Sequence, residues 1–215
     1  MTSILDEYLD PAQCRILAGL NSPARIQAFL DETPYSTEDT DRCPVSVLRD
    51  RVAHCLDGGL FAAAALGRLG YPPLIVDLIP EPGTDDDHIL AIYKIDGRLG
   101  AVAKSNFTGL RSREPVYRTV RELVMSYFES YYNVRGERTL RGYTMPLNLQ
   151  SLNSAGWMWR DEGVEAVLHR LDRLRQFSVI SAEMAARLYP VDKLSYEAGT
   201  MGTNPAGLYK PRESR

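Results

Sequence analysis

The chain has 215 residues, of which 44% are hydrophobic and 25% are charged, as is ordinary for a globular protein. This composition excludes a mostly disordered or collagen-like chain, and the length predicts one domain with additions over 1–215, with two small domains as the alternative. The net charge of −3 argues against nucleic acid as a partner, because nucleic-acid binders present a basic face. The longest apolar run, Leu60 to Leu66, is far shorter than the roughly 20 residues that cross a bilayer, so no membrane partner is expected.

The cysteines and the first ten residues indicate the compartment. The start of the chain is acidic and lacks the basic and apolar regions of a signal peptide. Cys14, Cys43 and Cys55 are too few for a disulfide framework and too widely spaced for a Cys-x-x-Cys zinc site. These features predict reduced thiols in a cytoplasmic protein with no metal and no cofactor. The oligomeric state stays open.

Two helices are predicted near the start, because Asp10-Pro11 and Ser22-Pro23 each place a capping side chain before a proline. The cap accepts a free backbone N–H, and the proline already has a helical φ. The elements predicted here are, in order, a helix to about Leu20, a helix to about Glu32, a polar loop over 33–42, and one or two helical turns over 44–51.

The segment from Cys55 to Gly70 predicts a helix that is apolar on nearly every side. Its alanines and leucines favour helix, and Gly70 before Tyr71-Pro72 is a stop signal. Such a helix is buried. Its small residues, Gly58 and Gly59 among them, allow another backbone to approach closely.

Three strands are predicted after this helix, at 74–79, 88–95 and 98–104, with a hairpin turn at Asp96-Gly97. This order predicts an α+β fold in which an antiparallel sheet packs against the helix that begins at Cys55. The core is expected at about 22–110. The remaining predictions are helical additions over 1–21 and 115–190, with helices at 120–132, 161–176 and 181–188, and a flexible tail over 205–215.

The candidate chemistry begins with Cys55, which lies where a loop becomes the buried helix. Backbone N–H groups at a helix start stabilise a thiolate, as a nucleophilic cysteine requires. His88 opens a strand after Asp85-Asp86-Asp87 and is the candidate base. A base needs a partner on its other ring nitrogen. Asn106 or Ser105, at the end of the third strand, is the candidate for that position.

The order of elements over Ser22–Asn106 resembles the transglutaminase-like superfamily, which has a papain-like core. The shared pattern is a helix that begins with Cys and ends in a Leu-Gly-Tyr-Pro stop, then a strand, a polar loop, a His-led strand, a hairpin and a third strand. Cys55 and His88 match the first two residues of the family's Cys-His-Asp order. The family's Asp is missing, and the run 104–106 stands in its place, so either an Asn completes the site or the site is inactive.

The resemblance implies cysteine-dependent acyl transfer through a thioester, with a small-molecule or peptide acyl substrate and water or an amine as the acceptor. Backbone N–H groups at the helix start would stabilise the oxyanion. The acidic loop over 80–87 suggests an amine-bearing acceptor. Two alternatives stay open: an inactive fold that serves as a binding or scaffold module, and a metal-dependent hydrolase that uses the acidic loop with His88.

Overall fold

A computed structural model describes residues 4–38 and 40–211. In this part of the chain, an α+β fold is built on a seven-stranded antiparallel sheet with the order β4-β3-β2-β1-β5-β7, and β6 also pairs with β1. The strands are β1 (Leu74–Pro80), β2 (His88–Ile95), β3 (Arg98–Val102), β4 (Arg113–Tyr117), β5 (Leu140–Thr144), β6 (Leu147–Asn148) and β7 (Gln176–Ser178).

Helices cover both faces of the sheet. The α-helices are α1 (Pro11–Gly19), α2 (Pro23–Glu32), α3 (Pro44–Asp50), α4 (Cys55–Arg68), α5 (Val120–Met125), α6 (Glu162–Leu171), α7 (Ala182–Ala185) and α8 (Lys193–Gly199). Short 3-10 segments lie at Ile4–Tyr8, Thr108–Leu110, Phe128–Ser130, Leu149–Ala155 and Pro205–Gly207. None of the helices within 4–38 and 40–211 is long and apolar enough to cross a membrane.

The predictions for the first half of the chain are confirmed. Asp10 and Ser22 cap α1 and α2 through their side chains, each with a proline at the next position. The buried helix begins at Cys55, and β1, β2 and β3 follow in the predicted antiparallel order.

The prediction of helical additions over 115–190 is wrong in part, because β5, β6 and β7 lie there and belong to the sheet. β5 pairs with β1 in the middle of the sheet. β4, at Arg113–Tyr117, forms one edge beside β3. These segments are short, and β4 and β5 carry Arg, Pro or Gly, so pairing with β3, β1 and β5 determines their structure more than strand propensity does. The helix predicted over 120–132 is shorter, since α5 ends at Met125.

The tail predicted over 205–215 is described as far as residue 211, and 212–215 lie outside the described residues. Residues 205–209 do not extend away from the fold. Asn204 is bonded to Asn106 and Tyr35, and Gly207 packs on Tyr35, so this stretch lies against the body of the protein.

Each face of the sheet has its own apolar core. Ile75, Ile89 and Ala91 face α4 and α2, whereas Leu90 and Ile92 face the opposite side. That second side is covered by α5 and the aromatic residues that follow it, with Tyr127 and Tyr131 fully buried among them. His88 is the first residue of β2, and its ring lies against the Leu110 carbonyl and the Tyr131 ring, which belong to the second core.

The first turn of α4 touches the sheet more closely than a side chain would permit. A Cβ atom added at Gly58 would lie 2.1 Å from Cβ of Lys104, and one added at Gly59 would lie 2.4 Å from a methyl carbon of Ile89. The absence of side chains at these positions therefore brings the start of α4 against β2 and the end of β3, as the sequence predicts.

We expect Gly58→Ala to lower the free energy of unfolding by about 1–3 kcal/mol, because the added methyl group overpacks the contact with Lys104. Gly67→Ala in the same helix is the matched control, since its Cβ would meet nothing nearer than 4.0 Å. That control should gain up to about 1 kcal/mol from helix propensity. Urea unfolding measures both, and equal stability of the two variants would contradict the close contact.

Candidate functional site

The four predicted site residues line one small cavity of about 50 Å³, at the end of the sheet where β2 begins. Cys55 enters from α4, His88 from β2, and Ser105 and Asn106 from the loop after β3. The remaining walls come from Tyr35, Asp85, Asp86, Asp87, Phe107, Leu110, Tyr131, Tyr132, Gly207, Leu208 and Tyr209. Cys14 and Cys43 do not line this cavity.

Cys55 is the first residue of α4 and is only 7% exposed. Its thiol donates to the carbonyl oxygen of Asp87, with 3.6 Å between Sγ and O. Burial raises the pKa of the Cys55 thiol well above its ordinary value, and the negative charges of Asp87, Asp86, Asp77 and Asp57 add to that effect. The helix start alone therefore does not produce a thiolate in this folded form.

His88 is 3% exposed, and its Nε2 lies 2.8 Å from the carbonyl oxygen of Leu110. A carbonyl oxygen can only accept, so Nε2 carries the hydrogen and Nδ1 of the neutral ring is left as the basic nitrogen. Burial lowers the pKa of His88 to about 4, even though the bond to Leu110 favours the charged ring. The imidazole is neutral at neutral pH, and its edge meets the Tyr131 ring, 6.5 Å between centroids.

Asn106 and Ser105 line the cavity, but their hydrogen bonds lie elsewhere. The Asn106 carboxamide donates to the carbonyl oxygen of Asn204 at 2.9 Å and accepts from the Asn204 N–H at 2.8 Å. The Ser105 hydroxyl accepts from the Phe107 N–H. The position predicted for one of these two side chains, beside the imidazole, is taken by the main chain of Leu110.

Tyr35 is a cavity residue that the sequence did not reveal, because it lies in a loop interpreted only as polar. Backbone bonds from Ser36 N–H to the Ala53 carbonyl, and from Ala53 N–H to the Pro34 carbonyl, fix that loop beside the start of α4. The Tyr35 hydroxyl lies close to the thiol and the backbone N–H of Cys55. Burial raises the pKa of Tyr35, so this hydroxyl stays protonated. The sequence feature that could have indicated the burial of Tyr35 is an aromatic residue directly after Pro34 in an otherwise polar stretch.

The residues Asp85, Asp86 and Asp87 form one wall of the cavity. Burial raises the pKa of Asp85 to about 6, and burial together with the charge of Asp86 raises that of Asp87 to about 6. The Asp85 carboxylate accepts from the Thr139 hydroxyl. The wall is therefore negative at neutral pH and opposes a thiolate at Cys55.

Asp77 is a second residue that the sequence did not single out. It lies on β1, is 8% exposed, and its Oδ1 is buried without a hydrogen-bond partner in the structure. Burial and the nearby Asp87 raise the pKa of Asp77 to about 8, although the nearby His88 backbone favours the charged carboxylate. Asp77 is therefore largely protonated at neutral pH.

The residues with metal-ligand spacing in the described chain are Asp41, His54 and Asp57, whose ligand atoms lie within 4.8 Å of one another. His54 Nδ1 accepts the Leu56 N–H, and Nε2 lies 3.3 Å from a carboxylate oxygen of both acids. A proton on Nε2 thus satisfies both carboxylates. Asp57 also accepts from the backbone N–H groups of Arg42 and His54. The three side chains therefore stabilise the start of α4 through hydrogen bonds, without a metal ion.

A wider cleft of about 420 Å³ lies next to the cavity and shares Cys55 with it. Its acidic residues are Glu38, Asp41, Asp86 and Asp87, and His54 lies among them. Residues 207–209 line both spaces. Electrostatically, this cleft favours a cationic or amine-bearing group over an anion.

No protein-family model matches the sequence, and a comparison with curated proteins finds no match.

We expect Asp87→Asn to lower the pH at which Cys55 is half-maximally alkylated, because the substitution removes a negative charge that raises the thiol pKa. Iodoacetamide alkylation against pH, with the labelled site identified by mass spectrometry, measures the shift. Asp96→Asn, in the exposed β2–β3 turn, is the matched control for loss of one charge. Identical profiles for Asp87→Asn and the control would contradict this account of the thiol.

The buried Asp77 carboxyl predicts a pH dependence of stability. The folded chain holds a proton there up to about pH 8, whereas an unfolded chain releases it near pH 4. Stability from this group is therefore present at low pH and is lost as pH rises through that window. Between these pH values, the free energy of unfolding of Asp77→Asn should rise relative to that of the unaltered chain by up to about 1.4 kcal/mol per pH unit. Urea unfolding at several pH values tests this, and a constant difference would contradict it.

Proposed function

We propose that this protein is a cysteine-dependent acyl-transfer enzyme in which Cys55 is the nucleophile and His88 is the general base. The observation that carries the proposal is the shared cavity: a thiol at the start of a buried helix and an imidazole held in one tautomer line the same small space. The resemblance of Ser22–Asn106 to the transglutaminase-like superfamily supports the same chemistry.

The first half of the reaction forms a thioester. His88 Nδ1 takes the proton of the Cys55 thiol as Sγ attacks the carbonyl carbon of an amide or thioester. The Cys55 N–H, at the free end of α4, is a donor suited to the oxyanion. The tetrahedral intermediate then expels the amine or thiol, which leaves with the proton held by His88.

The second half regenerates the thiol. Water or an amine gives a proton to His88 as it attacks the thioester carbon, the C–S bond breaks, and the proton returns to Sγ. Water yields a hydrolase and an amine yields a transferase. The acidic residues outside Cys55 favour an amine-bearing acceptor, which would be attracted as the cation and would react after losing a proton.

The pKa shifts define how such a site would operate. Burial raises the pKa of the Cys55 thiol and lowers that of His88, so the resting pair is thiol and neutral imidazole. Proton transfer then has to accompany attack on the carbonyl. Leu110, through its carbonyl oxygen, would stabilise the imidazolium formed in that step.

A binding module without catalysis is the second candidate, and specific observations favour it. The thiol is neutral, and the Asn106 carboxamide is bonded to Asn204 and not to His88. Such a module would bind a ligand in the Cys55 cavity without forming a covalent bond to it. A metal-dependent hydrolase has less support, because the residues with metal-ligand spacing are those around His54 and not the acidic loop with His88.

Acylation by p-nitrophenyl acetate separates the two candidates. We expect the intact protein to gain one acetyl group on Cys55, released by hydroxylamine as a thioester, and Cys55→Ala to gain none there. His88→Ala should slow acylation by roughly 10²–10⁴-fold, the usual contribution of a general base.

Cys43→Ala is the matched control, since Cys43 is buried away from the cavity, at the start of α3. It should acylate at the unaltered rate. A folded protein that acquires no acetyl group on Cys55, or one whose acylation is indifferent to His88, would support the binding module.

A further inference from the structure

Residues 203–209, called the strap from here on, pass over the opening of the Cys55 cavity. Asn204 is an extended residue at its start, Pro205–Gly207 forms one 3-10 turn, and Leu208 is extended again. The last three residues of the strap line the inner cavity on one side and the wider acidic cleft on the other. The strap therefore borders both spaces, as Tyr35, Cys55, Asp86 and Asp87 also do.

The inner cavity, with the strap in place, is too small for an acyl substrate. Its volume of about 50 Å³ accommodates a few water molecules, whereas sites for small molecules usually measure about 300–1,000 Å³. The neighbouring cleft of about 420 Å³ already reaches Cys55. Displacing the strap would join the two into one space of ordinary ligand size.

The strap is also the wall most easily displaced. Cys55, His88, Ser105 and Tyr131 belong to buried segments of the fold. By contrast, Pro205 and Ala206 are exposed, and the residues on either side of them are half-buried. Segments with few buried apolar contacts open at the lowest free-energy cost.

Hydrogen bonds to Asn106 and Tyr35 hold the start of the strap, two through the main chain of Asn204 and two through the side chains of Thr203 and Asn204. Asn106 contacts both the N–H and the C=O of Asn204, a two-point contact that a carboxamide can make with the peptide backbone of any residue. The Asn106 carbonyl oxygen accepts from the Thr203 hydroxyl at 3.2 Å. At Gly207 the backbone lies so close that an added Cβ would be 2.8 Å from the Tyr35 ring.

We infer that the strap occupies a groove for a polypeptide segment, and that the substrate of the Cys55 site is a peptide or protein bound there once the strap has moved aside. This inference deepens the proposed function, on which its substrate statement rests. The groove is formed by Asn106, Tyr35 and the acidic wall, and backbone recognition by Asn106 aligns the bound segment beside Cys55.

Cysteine accessibility tests the groove without any turnover. A chain that ends at Thr203 should be alkylated by iodoacetamide at Cys55 about tenfold faster, or more, than the full chain at the same pH. A chain that ends at Pro211 keeps the strap and is the matched control. Circular dichroism confirms that each variant is folded.

Gly207→Ala supplies the same test without truncation, because its methyl group would push the strap away from Tyr35. We expect faster alkylation of Cys55 in this variant, while Lys210→Ala, at an exposed neighbouring position, leaves the rate unchanged. Unchanged alkylation in both folded strap variants would overturn the inference.

A synthetic peptide with the sequence of residues 200–211, capped at both ends, tests polypeptide binding. It should slow alkylation of the chain that ends at Thr203 in a saturable manner. The same peptide methylated on the backbone nitrogen of Asn204 should not protect, because it lacks the N–H that Asn106 accepts. Equal protection by both peptides, or by neither, would contradict backbone recognition in the groove.

The outcomes distinguish this inference from the proposed function. Peptide protection, together with no acetylation of Cys55 by p-nitrophenyl acetate in either the full chain or the chain that ends at Thr203, would support a peptide-binding module and contradict the enzyme. Acetylation that depends on His88, together with no effect of the strap variants on alkylation, would support the proposed enzyme and contradict the peptide groove.

Discussion

The close contact between the first turn of α4 and the sheet is the constraint on which the rest of the site depends. Gly58 and Gly59 let the helix approach Lys104 and Ile89 at distances that a Cβ atom would forbid. This approach sets Cys55 directly beside the start of β2, where its thiol meets the Asp87 carbonyl. A helix held even one side-chain layer farther out would leave the thiol and the imidazole in separate spaces.

Most of the fold around the site could be predicted from local signals. The caps at Asp10 and Ser22, the apolar helix from Cys55 and the hairpin at Asp96-Gly97 are each specified by residues within a few positions of one another. Strands β5, β6 and β7 could not be predicted in this way. Their sequences are short and mixed, and they become strands because β1 and β5 offer them unpaired edges.

Of the site residues, only those with a recognisable chemical role, Cys55 and His88 above all, could be predicted from the sequence. Cys55 and His88 could be found because backbone N–H groups at a helix start favour a thiolate and because a histidine at a strand start can serve as its base. Asp77 and Tyr35 matter through burial and proximity, which depend on elements far apart in the chain. Asp77 adds to the burial that raises the pKa of the thiol, whereas burial lowers the pKa of the imidazole without any help from the acids.

The bond between His88 Nε2 and the Leu110 carbonyl has a consequence for how this site tolerates sequence change. A side-chain partner can be lost by one substitution, whereas a main-chain carbonyl is present whatever residue occupies position 110. Substitutions at position 110 leave the carbonyl acceptor in place as long as the loop keeps its backbone conformation. The tautomer of the His88 ring therefore depends on the backbone conformation of this loop and not on a side chain. A search for a third polar side chain would not find the Leu110 carbonyl that fixes it.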